Sequence, residues 1–226
     1  MTDILKEYTF SRNYNPSKLI VMLHGYGDNA ENFINIANYL DKPEWNAQYI
    51  ALNAPSHVPN YPTGYQWFDI YPNGKYISEA SPKEILAIRQ EVSVAIKKIE
   101  ISINNNLKKF KLNNNKCILL GFSQGGMMAF EFGNYFQKAL GGIAIFSGRI
   151  MNETKINNKY LKKTPIFISH GNQDDILNID NFYKSINYLK KNNFNFESHE
   201  INGDTHTISA KSIDLFQKFI KKVDEE

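Results

Sequence analysis

Short runs of apolar and β-branched residues recur along the chain at Lys18 to Leu23, Gln48 to Leu52, Lys116 to Gly121, Gly142 to Phe146, Pro165 to Ser169 and Phe196 to Ile201. Turn residues bound each run. Most are continuous rather than alternating, so the pattern predicts strands buried on both faces. Between them the spacing changes to that of a helix. Ile85, Ile88, Val92, Ile96, Ile99 and Ile103 fall on one stripe, opened by Ser81 as N-cap, Pro82 in the first turn and Glu84 as the capping-box acid. A second capping pair, Asp28 with Glu31, predicts a helix whose inner face carries Phe33, Ile36, Ala37 and Leu40. Further helices are expected near Gly125 to Phe136, Ile179 to Leu189 and Ser209 to Val223. Strands alternating with helices predict an α/β fold, a mainly parallel sheet covered on both faces. The stretch from Asn53 to Ser81 supports neither period. Its prolines make it a long loop, while Tyr61, Tyr65, Trp67, Phe68, Tyr71 and Tyr76 argue against disorder and for a functional one.

Length and charge narrow the class. A chain of 226 residues without an internal repeat or linker is read as one domain. The net charge of +3 is spread over scattered lysine pairs such as Lys97-Lys98 and Lys190-Lys191, the pattern of a solvated surface and not of a nucleic-acid footprint. Met1 to Phe10 lacks the apolar core of a signal peptide, and no apolar run approaches the roughly 18 residues of a membrane span. The single cysteine, Cys117, cannot form an internal disulfide, which fits a reducing compartment and makes the cytoplasm the expected location.

The chemistry is concentrated at Gly121-Phe122-Ser123-Gln124-Gly125-Gly126, which joins a strand run to a helical run. A nucleophilic serine in G-x-S-x-G occupies a sharp strand-to-helix turn that lifts its hydroxyl above the sheet, and the flanking glycines keep side chains out of that turn. Such a serine needs an oxyanion hole. One N–H comes from the residue after the nucleophile, Gln124, and a second from the loop after an early strand. Leu19 to Leu23 ends in His24-Gly25-Tyr26-Gly27-Asp28, so the second donor is assigned to the Tyr26 N–H, with His24 structural.

In folds that present a serine this way, the acid and then the histidine follow it in chain order, each after a strand. His24 and His57 precede the serine, His170 precedes any plausible acid, and His199 lies inside a strand pattern. His206, in the loop after the last strand, remains as the base. The acid belongs to the loop that ends the Pro165 strand, where Asp174 and Asp175 are both candidates, Asp175 having helix capping as its other reading.

Leu23-His24-Gly25-Tyr26-Gly27-Asp28, Gln66-Trp67-Phe68-Asp69, the Ser123 motif, His170-Gly171-Asn172-Gln173-Asp174 and Asp204-Thr205-His206, in that order, resemble the phospholipase/carboxylesterase family of α/β hydrolases, which includes the acyl-protein thioesterases. The likeness runs from about Lys18 to Ile220. It implies an α/β-hydrolase fold without a large cap domain, a Ser123, Asp174, His206 triad, oxyanion donors at Tyr26 and Gln124, and neither metal nor organic cofactor. It also implies that Trp67 and Phe68 line the acyl pocket. The expected activity is cleavage of carboxylic esters or thioesters through an acyl-enzyme, with a lysophospholipase or a catalytically silent acyl-binding protein as alternatives. The partners implied are a small ester or acyl substrate, an acylated protein or a lysophospholipid, with the chain a monomer or homodimer. Two positions depart from the family pattern: Asp175-Ile176-Leu177 follows the acid where a proline is common, and Thr205 precedes the histidine.

Overall fold

A computed structural model describes residues 4–151 and 158–225. In chain order its strands are β1 (Glu7–Ser11), β2 (Lys18–Leu23), β3 (Ala47–Leu52), β4 (Ser56–Val58), β5 (Tyr61–Gln66), β6 (Cys117–Phe122), β7 (Gly142–Phe146), β8 (Ile166–Gly171) and β9 (Phe196–Ile201). Its helices are α1 (Ala30–Phe33), α2 (Ala37–Leu40), α3 (Pro82–Phe110), α4 (Gln124–Tyr135), α5 (Asp180–Lys191) and α6 (Ala210–Glu225). The main sheet has the order β1-β3-β2-β6-β7-β8-β9, and every pairing is parallel except β1 with β3.

Strand alternation sorts the core into two layers. Leu19, Val21 and Leu23 of β2 face a cluster filled by Ile88, Val92, Ile99 and Ile103 of α3, Met128 and Phe130 of α4, and Phe182 and Leu189 of α5. Ile20 and Met22, one residue out of step, face the opposite cluster with Phe33, Leu40, and Phe216, Phe219 and Ile220 of α6. Among the described residues no helix is long and apolar enough to cross a membrane.

Three local expectations need correction. The segment after β2 is not one helix: α1 and α2 are single turns separated by a 3₁₀ turn, Ile34–Ile36. Its N-cap is Asn29, whose side chain accepts the Asn32 N–H, and Asp28 instead accepts from the Asn32 side chain. Phe33, Ala37 and Leu40 still reach the core because successive tight turns preserve the side on which they emerge. The Asn53 to Ser81 stretch contains a hairpin, β4 with β5, interrupted by a bulge between His57 and Val58 that breaks the period-two pattern. The edge strand β1 also went unforeseen, since its half-buried residues give no continuous apolar run.

Other signals hold. Ser81 and Glu84 form the reciprocal capping box at the start of α3, with the Ser81 N–H donating to Glu84 Oε2 at 2.7 Å. The register aligns the carboxyl ends of the parallel strands: Leu23 lies opposite Gly121, Phe122 opposite Phe146, Phe146 opposite Ser169, and Gly171 opposite Ile201. The loops bearing Tyr26, Ser123, Asp174 and His206 therefore leave from one edge of the sheet, where open α/β sheets bind ligands.

Candidate active site

Ser123 joins β6 to α4 with φ 53° and ψ −116°, a left-handed conformation that L-residues rarely adopt. The turn is locked by the Ser123 N–H donating to the Phe146 carbonyl at 2.9 Å and by the Gly126 N–H donating back to Ser123 at 3.0 Å. The glycines are forced by space. A Cβ on Gly121 would lie 2.1 Å from the Gly125 carbonyl oxygen, and one on Gly125 would lie 2.1 Å from that of Leu23. No bulkier residue allows strand, turn and helix to approach this closely.

His206 Nδ1 donates to Asp174 Oδ2 at 2.7 Å. The Asp174 side chain is fully buried, and its other oxygen accepts the N–H groups of Ile176 at 3.0 Å and Leu177 at 2.7 Å. His170 Nε2 lies 3.1 Å from Asp174 Oδ2 and 2.7 Å from the Leu177 carbonyl, so this second imidazole braces the carboxylate from inside. Burial by itself raises the Asp174 pKa, but the hydrogen bonds from His170, His206 and Leu177 outweigh it and hold the group below the ordinary carboxylate range. Asp175, its neighbour, is exposed. With Nδ1–H committed to Asp174, His206 Nε2 is the nitrogen that can accept a proton.

One cavity of about 160 Å³ brings Ser123 and His206 together with Gly25, Tyr26 and Phe122. The His206 ring, largely covered, packs against Phe122 at a centroid distance of 4.8 Å. No direct hydrogen bond joins Ser123 Oγ to His206 Nε2; such contacts commonly tighten only when substrate is bound. Among the described residues, the backbone N–H groups of Tyr26 and Gln124 have no hydrogen-bond partner. That of Gln124 is one of the orphan donors at the start of α4.

Trp67 and Phe68 are not where the resemblance put them. Both are 1% exposed and lie behind the cavity rather than on its wall. The Trp67 N–H donates to Gln124 Oε1 at 2.9 Å, Gln124 Nε2 donates to the Phe68 carbonyl at 2.8 Å, and Trp67 Nε1–H donates to the His24 carbonyl at 2.9 Å. These bonds explain the placement: the tryptophan's polar handle finds its partner only inside the sheet edge. His24, fully buried, accepts the Ala54 N–H at Nε2 and gives Nδ1–H to the Gly25 carbonyl. Burial pushes its pKa down, consistent with a neutral ring in that tautomer. The Tyr26 loop is further clamped to β5, the Gly27 N–H donating to Tyr65 and the Tyr65 N–H to Asp28, both at 2.9 Å.

The cavity's remaining wall is formed by Ile70, Tyr71, Tyr76, Met127, Ile176 and Leu177. Sequence reading missed these as a set. The aromatic density of the Asn53 to Ser81 stretch pointed to the loop that supplies Ile70, Tyr71 and Tyr76, while the family resemblance singled out Trp67 and Phe68.

The sheet order, the turn at Ser123 and the carboxyl-edge loops define an α/β hydrolase. More narrowly, a model of the phospholipase/carboxylesterase family matches residues 6–224, and the chain belongs to that family, an esterase-type hydrolase. It is 26% identical over 212 residues to acyl-protein thioesterase 1 homolog 1 of Dictyostelium discoideum, spanning 91% of this chain and 90% of the relative. It is 27% identical to carboxylesterase SOBER1 of Arabidopsis thaliana, spanning 90% and 89%. Among solved structures, esterase PE8 superimposes with a TM-score of 0.82 at 25% identity, covering 98% of this chain and 100% of that one.

Proposed function

We propose that this single domain hydrolyses carboxylic esters or thioesters by acyl transfer to Ser123. As His206 Nε2 takes the hydroxyl proton, Ser123 Oγ bonds to the acyl carbon and the carbonyl oxygen becomes an oxyanion received by the Tyr26 and Gln124 N–H groups. Asp174 keeps Nδ1 protonated and stabilises the imidazolium. Collapse of the intermediate breaks the bond from carbon to the leaving oxygen or sulfur, which departs with the proton from His206. Water then attacks the acyl-enzyme, His206 takes its proton, and the bond to Ser123 breaks as the acid leaves and the serine is reprotonated. A small ester, an acylated protein or a lysophospholipid each offers the carbonyl this sequence needs.

The observation that carries this reading is the 2.7 Å bond between His206 Nδ1 and Asp174, with the ring sharing a cavity with a serine held at positive φ. The test is Ser123→Ala assayed on an activated acetyl ester and with a fluorophosphonate probe. Turnover is expected to fall by about 10⁴–10⁶ and labelling to vanish while the fold persists. A variant that keeps most of its rate or its labelling would remove Ser123 from the role.

A further inference from the structure

We propose that the acyl site beside Ser123 takes short acyl groups, from acetyl to about butanoyl, and that Tyr71 and Tyr76 set this limit. The inference rests on the hydrolase reading above and adds the substrate class. The cavity holds about 160 Å³. Ligand pockets usually run from about 300 to 1,000 Å³. A water-sized group occupies roughly 30 Å³, and a methylene is of similar size, so this space fits about five such groups, the carbonyl included. A palmitoyl chain would need on the order of three times that volume.

The walls are fixed by packing. Met127, Leu177 and Ile70 are buried members of the core, so the floor cannot recede without breaking packing that supports the sheet. Tyr26, Tyr71 and Tyr76 form a continuous aromatic side, with ring centroids 5.4 Å apart for the first pair and 5.8 Å for the second. The loop that carries this side is pinned by the Ile77 N–H donating to the Ile70 carbonyl at 2.9 Å and the Tyr71 N–H donating to Asp69 Oδ1 at 3.0 Å. On the solvent side Ile176 and Tyr71 are exposed, and Tyr26 and Tyr76 are half-buried.

The consequence is a break in the chain-length profile. While the cavity is filling, each methylene leaving water multiplies kcat/KM by up to about fourfold. Beyond capacity, further methylenes lie on the rim or force the rings apart. The experiment measures kcat/KM for p-nitrophenyl acetate, butanoate, octanoate and palmitate with the full chain, using Ser123→Ala as the blank. A maximum at or before butanoate, and a drop of at least about tenfold by octanoate, are expected. Tyr71→Ala and Tyr76→Ala should each raise the octanoate-to-butanoate ratio by about tenfold or more, a ratio independent of how much enzyme folds. A rate that climbs through octanoate, or a ratio that neither variant moves, overturns the short-acyl limit and leaves the hydrolase reading standing. Absence of any Ser123-dependent turnover at every chain length would overturn both.

Discussion

Gln124 and Trp67 are joined by a buried hydrogen bond, the Trp67 N–H donating to Gln124 Oε1 at 2.9 Å, while the same carboxamide donates to the Phe68 carbonyl at 2.8 Å. Gln124 thus holds the Trp67 loop through its side chain, and the indole N–H of Trp67 reaches across to the His24 carbonyl at the base of the Tyr26 loop. The two N–H groups assigned to the oxyanion are tied together through one tryptophan. In Gln124→Met the backbone donor survives and both side-chain bonds are lost, leaving two buried backbone groups unpaired at about 1–3 kcal/mol each. Stability in urea should fall by a few kcal/mol, and kcat should fall about 10- to 100-fold with KM little changed, because the loss is felt where charge develops. A variant that is destabilised but keeps its kcat would show the bridge to be purely structural.

Trp67→Phe tests the other end of the same connection. It keeps an aromatic ring in the core, removes the donor to the His24 carbonyl and leaves the space of the lost second ring at a fully buried site, a packing cost that weighs equally on transition-state and ground-state ligands. The expected signature is a loss of affinity for a phosphonate transition-state analogue that exceeds the loss for a ground-state product acid. Equal losses for both ligands would mean that the indole bond does not position the oxyanion donors.

How much of this was legible in the sequence depends on how far each signal reaches. The buried runs at β2, β3, β6, β7, β8 and β9 and the stripe of α3 were readable because burial on a sheet face or helix stripe imprints a period over several residues. Motif order named Asp174 and His206 as candidates, and the choice of Asp174 over Asp175 came from family spacing. The physical distinction is burial: Asp174 receives His206, His170, Ile176 and Leu177, while Asp175 is exposed. Trp67 and Phe68 misled because an aromatic motif beside an active site reads the same whether it lines the pocket or packs behind it. What separates the two is a set of bonds to residues 56 or more positions away, on Gln124, and one to His24, and no local pattern records them.

Asp174→Asn and Asp175→Asn should differ sharply. The first is expected to lower kcat by about 10⁴, through loss of the tautomer and of imidazolium stabilisation. The second should stay within a few-fold of the parent. Asp174 also makes a pH prediction. Its folded pKa lies below its unfolded value, so the ionised group contributes stability that is fully present above the unfolded value of about 3.9 and is lost as the pH falls on through the lowered folded value. The gap in unfolding free energy between parent and Asp174→Asn should be wide at neutral pH and close in strong acid. A gap that is independent of pH would contradict the lowered pKa.

Ser123 and the glycines around it yield paired predictions about strain. Ser123→Gly relieves a left-handed residue and should stabilise the fold by about 1 kcal/mol after glycine's own entropic cost, whereas Ser123→Ala keeps the strain and should leave stability unchanged. Gly27→Ala meets open space but must hold φ +79°, a cost of about 1–2 kcal/mol. Gly125→Ala would press a methyl against the Leu23 and His24 carbonyls and should cost at least about 3 kcal/mol. Thermal midpoints of the four variants check the ranking, and a tolerated Gly125→Ala would refute the close approach of α4 to β2.

Cys117, the only thiol in the chain, lies at the opposite end of a strand from Ser123, the proposed nucleophile. It opens β6, the strand whose far end delivers Ser123, so the two lie on the order of 15–20 Å apart along an extended backbone. The thiol is fully buried, and burial pushes its pKa up to about 12. Because the thiolate is the reactive form, Cys117 in the native protein should resist an aromatic disulfide reagent at mildly alkaline pH. Labelling should follow global unfolding, accelerating with urea in step with loss of the folded state. Activity should survive the reagent for as long as the fold does. Rapid modification of the native enzyme, or inactivation before unfolding, would place the sulfur nearer to solvent and to the chemistry than the sheet allows.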